Sequence, residues 1–236
     1  MAKKKRKKHI IQTAARKLVT SLNTRSIVSE QFRTLRTNIN FSMPDKELKT
    51  FLLTSTSPGE GKSTVAANTA VVFAQEGKRV LLVDADMRKP TVHYTFHLTN
   101  TIGLSSLLTR QASVTEVLKP SEIENLQIIT CGPIPPNPAE LVGSQTMDRV
   151  LEELKELFDV IIFDAPPVLS VADAQILSNK CDGAILVMSS GETEKAGIVK
   201  AKEALISSKA NIIGVVMNNF ELNKDHYYYQ YYGNAE

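Results

Sequence analysis

The chain has 236 residues, of which 42% are hydrophobic, with two cysteines, no tryptophan and a formal net charge of +3. That length suits one large α/β domain or two small ones, and the apolar fraction suffices for a buried core. No stretch approaches the roughly 18 uninterrupted apolar residues of a membrane span, and the charged N-terminus lacks the apolar segment of a secretory signal.

In chain order, the first feature is a basic arm. Lys3, Lys4, Lys5, Arg6, Lys7 and Lys8 supply six positive charges, and without them the remainder carries −3. The body is therefore mildly acidic, which argues against a nucleic-acid-binding domain. The arm itself fits a solvated tail, a segment attracted to anionic lipid, or a docking tail for an acidic partner. Residues 29–41, SEQFRTLRTNINF, then predict a helix. Glu30, Arg33 and Arg36 recur at spacing three and share one side. Phe32, Leu35 and Ile39 form an adjoining apolar stripe. On the residues alone, the charged side is either an intrahelical ion-pair row or an assembly surface.

Six short runs rich in Val, Ile and Leu follow: Phe51–Ser55, Arg79–Asp84, Leu126–Thr130, Asp159–Asp164, Gly183–Ser189 and Ile212–Met217. None alternates with polar residues, as expected of strands buried on both faces. Helices are expected at Ser63–Gln75, Ala139–Leu157, Asp173–Asn179 and Thr193–Ser207. Gly77 is placed to stop the first of these. Asn137-Pro138-Ala139-Glu140 offers an N-cap, a proline at the first helical position and a capping acid. Strands alternating with helices predict a doubly wound, mostly parallel α/β sheet with helices on both faces. One domain is expected over residues 25–220, with the arm (1–24) before it and a polar tail (221–236) after it. Cys131 and Cys181 lie far apart and outside any C-x-x-C, which reads as two free thiols in a reducing cytosol.

The sequence SPGEGKST, residues 57–64, joins the first strand to the first sheet helix. It ends as a P-loop ends, but Thr56 stands where G-x-x-x-x-G-K-[ST] wants its first glycine. Gly59 and Gly61 can take backbone angles closed to other residues. They allow N–H groups between Pro58 and Thr64, through Glu60, to point at phosphate oxygens beside a helix N-terminus. Lys62 can reach the β- and γ-phosphates, and Ser63 can offer its hydroxyl to Mg²⁺. As a loop lysine, Lys62 is expected to stay out of the core. VLLVDADMRKP ends another strand with Asp84 and Asp86, and VIIFDAPP ends a third with Asp164. Ligands bind beyond the carboxyl ends of such strands, so these acids are expected to face the loop and to bind Mg²⁺ directly or through water.

SPGEGKST, LLVDADMRKP and VIIFDAPP, in this order, resemble the Walker A, Walker A′ and Walker B motifs of the bacterial tyrosine kinases (BY-kinases) of capsule and exopolysaccharide systems. GPIPPNPAELV, residues 132–142, resembles a further stretch of that family. The resemblance implies that Lys62 and Ser63 hold phosphate and Mg²⁺, and that Asp84 and Asp164 organise the metal and its waters. It implies that Asp86 orients or deprotonates the acceptor tyrosine and that Asn218 lies on the adenine side. E-x-x-R-x-x-R at Glu30, Arg33 and Arg36 is similar to the family helix that builds a ring of subunits. The Walker-A′ positioning ATPases are the rival family. They usually carry a lysine where this chain has Ser57, and that lysine acts across an ATP-bridged dimer.

Five of the six tyrosines sit in the tail, HYYYQYYGNAE: Tyr227, Tyr228, Tyr229, Tyr231 and Tyr232. Near-consecutive tyrosines cannot all face one core. An edge strand or a stacking platform for single-stranded nucleic acid would also use them, but no basic residue interleaves the aromatics. They fit phosphate acceptors and match the family's tyrosine cluster. The expected activity is ATP- and Mg²⁺-dependent autophosphorylation of tyrosine on a neighbouring subunit. Expected partners are further copies of the chain, a separate transmembrane activator, a tyrosine phosphatase and other protein substrates, with no nucleic acid. The expected location is the cytoplasm, at the inner face of the membrane through the activator. A nucleotide-gated assembly scaffold and a positioning ATPase are the alternatives.

Overall fold

The computed structural model describes residues 16–44 and 47–220. Seven strands form one sheet: β1 (Thr50–Ser55), β2 (Val80–Asp84), β3 (Lys119–Pro120), β4 (Leu126–Ile129), β5 (Val160–Asp164), β6 (Gly183–Ser189) and β7 (Ile212–Asn218). Their order is β3-β4-β2-β5-β1-β6-β7. Only β3 runs antiparallel to its neighbour, β4; the other pairs are parallel. The longer helices are α1 (Ile27–Phe41), α2 (Lys62–Ala74), α3 (Gln145–Leu157), α4 (Asp173–Lys180) and α5 (Lys195–Ser207).

The two faces of the sheet carry two cores, and single strands show why. In β1, Leu52 joins one core while Phe51 and Leu53 join the other. In β5, Ile161 and Phe163 face the first and Val160 and Ile162 the second. Such strands have no polar face because helices cover both sides. Residues of α3, α4 and α5, among them Leu151, Leu177 and Leu205, close the first core. Residues of α2 close the second, joined by Ile39, Phe32 and Leu35 of α1. Each fully buried Leu, Ile or Phe contributes about 1.5–3 kcal/mol relative to exposure.

Helix α2 is buried nearly all round, from Ser63 through Ala74. Its small residues let the sheet and α1 close on it from opposite sides. Its one buried amide is satisfied: Asn68 Oδ1 accepts from Thr20 N and Oγ1, and Nδ2 donates to Lys17 O and Thr64 O. That network also ties Arg16–Leu22 to the body, including a short helix at Val19–Leu22 and a buried Thr20. The described body therefore extends upstream of the boundary expected at residue 25.

Other differences from the sequence expectations have local causes. The helix expected over 139–157 is two helices, Pro138–Gly143 and α3. Ser144 turns extended between them (ψ 156°), and its hydroxyl accepts from Met147 N to cap α3. Pro138 takes the first helical position, but Asn137 donates to Glu140 instead of accepting from the backbone. Strand β7 is an edge, and Val215 and Met217 are 53% and 54% exposed, so it is not buried on both faces. Gly77 ends α2 as expected, with φ +88° and a bond from its N–H to Ala74 O.

Candidate nucleotide and phosphoryl-transfer site

Strands β2, β5 and β1 are consecutive neighbours, and the candidate site lies beyond their carboxyl ends. Asp84 and Asp164 are register partners at the tips of β2 and β5. The loop leaving β1 turns through Gly59 and Gly61, both at φ +94°, into α2. Positive φ does not fall on Thr56, so the absent first glycine costs the backbone nothing. Gly61 is required twice over: its φ is left-handed, and a Cβ there would run into Asn218 Nδ2.

Lys62 connects the parts. Its Nζ lies 3.0 Å from Asp86 Oδ2, 3.1 Å from Asp164 Oδ1 and 3.2 Å from Ser63 Oγ. The side chain is 11% exposed and lies in the cavity lining, outside the apolar core. Burial by itself would lower its pKa, but the Asp164 and Asp86 carboxylates outweigh burial and hold it above the usual lysine value. A cavity of about 460 Å³ opens here, with Gly59, Lys62, Ser63, Asp86 and Arg88 in its lining. That is within the range of small-molecule sites.

Asp84 is fully buried. Its Oδ2 accepts from Thr91 N and Val92 N, but Oδ1 has no hydrogen-bond partner, and neither does Asp164 Oδ2. Orphaned carboxylate oxygens at a phosphate loop fit a hard cation or its water shell. Among the described residues no three His, Cys, Asp or Glu side chains converge as a metal cage. Mg²⁺ takes one or two carboxylates and keeps its other positions for water and phosphate. Burial, then the charge of Asp164, pushes the Asp84 carboxyl from an ordinary value near 3.8 up to about 8.

A stability test follows from that shift. Between about pH 4 and pH 8 the folded chain keeps a proton on Asp84 that the unfolded chain has lost, so stability falls as pH rises through this window. Asp84→Asn does not titrate. Without nucleotide or divalent cation it is expected to melt above the wild type, by about 2–4 °C per kcal/mol gained. The gap should widen up to about pH 8 and level off beyond. Calorimetry across that range checks it, and a constant gap would contradict the shift.

Two features had no mark in the sequence. Arg88 is held by two parallel bonds to Asp173, at 3.0 and 3.1 Å, and Asp173 is almost wholly buried at the start of α4. This fixes the turn in which Asp86 Oδ1 accepts from Arg88 N and Lys89 N. The second feature is Glu60, which turns inward and accepts four bonds, three from Thr56 and Ser57 of its own loop and one from Thr193. No local pattern announces the Arg88–Asp173 or the Glu60–Thr193 contact, because those partners lie 85 and 133 residues away.

Asn218 lies against the loop, donating to Glu60 O at 3.1 Å. The E-x-x-R-x-x-R residues lie on α1 and do not line the cavity. Arg33 pairs with Glu30 and donates to Thr24 O. Arg36, 19% exposed, reaches across to α2, donating to Val72 O at 2.9 Å with Glu76 at 3.7 Å. It thus braces the fold as well as belonging to the motif. The five tail tyrosines lie outside the described residues. Both cysteines are buried free thiols, and burial, followed by the Asp84 and Asp86 charges, pushes Cys131 up to about 12.

A parallel sheet with a glycine loop entering a buried helix, and acids at the neighbouring strand tips, defines a P-loop nucleotide-binding protein. A family model described as an AAA domain matches residues 48–211. Tyrosine-protein kinase YwqD of Bacillus subtilis (strain 168) is 51% identical over 221 residues, covering 94% of this chain and 93% of the relative. Tyrosine-protein kinase CpsD of Streptococcus agalactiae serotype III (strain NEM316) is 38% identical over 190 residues, covering 80% and 81%. The crystal structure of the chimerical protein CapA2B2 superposes with a TM-score of 0.84 at 41% identity, covering 88% of this chain and 93% of that one. The chain belongs to the bacterial tyrosine-protein kinases.

Proposed function

We propose that the chain moves the γ-phosphoryl group of ATP to tyrosine hydroxyls, starting with its own tail on a neighbouring copy, and so regulates capsule or exopolysaccharide synthesis. The observation that carries this reading is Lys62 Nζ, set between Asp86 and Asp164 at the mouth of the phosphate loop. One ammonium group thus stands within reach of both the phosphate to be moved and the acid that would take the acceptor's proton.

In this reading N–H groups of Gly59–Thr64 cradle the phosphates, and Lys62 turns from its carboxylates toward the β- and γ-oxygens. The tyrosine oxygen bonds to the γ-phosphorus while the bond to the β–γ bridging oxygen breaks, leaving ADP. The phenol proton passes to Asp86. Its turn, fixed by Arg88 and Lys89, presents the second carboxylate oxygen toward the cavity. Ser63, Asp84 and Asp164 would hold Mg²⁺, which supplies charge neutralisation for the phosphate oxygens when bound.

A separate activator partner and work at the membrane belong to this proposal, which rests on the similarity to tyrosine-protein kinase CpsD and to the chimerical protein CapA2B2. No helix among the described residues is long and apolar enough to cross a membrane. Self-assembly through Glu30, Arg33 and Arg36, and reversal by a tyrosine phosphatase, complete the proposal. Transfer between copies is tested by mixing full-length Lys62→Met chains with active chains lacking residues 227–232. Phosphate is expected on the inactive chain, read by intact mass. An unlabelled inactive chain beside a self-labelling wild type would confine transfer to one subunit.

A further inference from the structure

Glu60 places a carboxylate in the middle of a loop that receives phosphate. It is 6% exposed and does not line the cavity. Its Oε2 accepts from Thr56 N at 2.7 Å and Ser57 N at 3.0 Å. Its Oε1 accepts from Thr56 Oγ1 at 2.5 Å and Thr193 Oγ1 at 2.7 Å. Thr193 sits between β6 and α5, and its hydroxyl oxygen accepts from Ser189 N at 2.8 Å, at the end of β6. From the end of β7, Asn218 donates to the Glu60 carbonyl and fills the space beside Gly61.

We infer that Glu60 is a positioning residue for the phosphate loop, clasping it through Thr193 and Asn218 to the ends of β6 and β7. The clasp sits where the P-loop pattern has its first glycine. Here an ordinary backbone at Thr56 is held by side-chain bonds, and the N–H groups of Thr56 and Ser57 are committed to Glu60. The N–H groups from Gly59 onward are thereby left for the ligand. A carboxylate is suited to this, since it accepts several bonds and donates none. Its charge is offset by the donors converging on it. Holding the loop before the ligand arrives removes an ordering cost from binding.

The inference rests on reading Gly59–Thr64 as the phosphate cradle, and its test separates the two. Mg-ADP titrations and steady-state kinetics are run on full-length Glu60→Ala, Glu60→Gln, Thr193→Val and the Ala/Val double variant. Glutamine can put its oxygen on the two backbone N–H groups and its amide on the two hydroxyl oxygens. It keeps the bonds and loses the charge. Outer-shell groups that orient metal ligands are worth about 10–100-fold in affinity, and the clasp is expected to act on a similar scale. Glu60→Ala should weaken Mg-ADP binding at least tenfold on that scale, and Thr193→Val about three- to tenfold, although Thr193 does not line the cavity. Glu60→Gln should stay within about threefold of the wild type, and the double variant should be no worse than Glu60→Ala, because coupled residues are non-additive.

Should Glu60→Ala fail to fold, Thr193→Val and Glu60→Gln decide the matter. The clasp is overturned if Thr193→Val binds Mg-ADP like the wild type, if Glu60→Gln loses as much as a folded Glu60→Ala, or if the double losses add. A wild type that does not bind Mg-ADP, or a Lys62→Met variant that transfers phosphate undiminished, would overturn the cradle reading instead.

Discussion

Lys62→Met is expected to lower the rate of tyrosine phosphorylation by at least about a hundred- to a thousandfold, the scale of losing one charged group aimed at a transition state. In the proposed reading the developing charge sits on the γ-phosphate oxygens, and Lys62 is a cation that lines the cavity there. The variant should also lose stability, because the lysine is a buried counter-ion. Asp164 is 1% exposed, and among the described residues no other cation pairs with it. Breaking a buried pair by removing one member costs about 3–5 kcal/mol. Protonation of a neighbouring acid will recover part of this. Rates must therefore be measured well below the melting temperature, which calorimetry on the same sample supplies. Undiminished autophosphorylation in folded Lys62→Met would sink the site assignment.

Asp86→Asn is expected to lower the transfer rate by about 10²–10⁴-fold, the contribution of a positioned acid or base. Nucleotide affinity should be unchanged or higher. A tyrosine hydroxyl with a pKa near 10 gains from a nearby proton acceptor, and an amide is not basic. Asparagine nevertheless keeps the oxygen that accepts from Arg88 N and Lys89 N, so the turn survives. It also releases Lys62 from one of its two carboxylates, which favours the phosphates. Single-turnover mass measurements paired with nucleotide titration separate the effects. If affinity falls as far as the rate, Asp86 belongs to the metal site and not to proton transfer.

The features readable from sequence were those whose cause lies within a few residues. The β1 loop and α2 follow from a strand, two glycines and a lysine in series. Asp84 and Asp164 were visible because a strand ended on each. Features that depend on distant partners were hidden. Nothing near Glu60 shows that Thr193 will meet it, and nothing near Asp173 shows that Arg88 will. Spacing put Arg36 on one side of a helix but could not reveal that this side leans on α2. The short helices Val92–Thr95 and Val114–Val117 are under two turns long, too brief for periodicity to register. The break at Ser144 had a local sign, the Gly143-Ser144 pair. The apolar pattern continues on either side and masks it.

The enclosure of α2 has a consequence for measurement. Beyond its first turn its residues are buried between the sheet and α1, so their amide hydrogens should exchange only when the whole domain unfolds. The residues that begin this helix also end the phosphate loop. A nucleotide bound at one end should therefore slow exchange along the full length of α2, including Phe73 and Ala74 at the far end, by the factor through which binding raises global stability. Hydrogen exchange at those distant positions becomes a gauge of occupancy at a site they never touch.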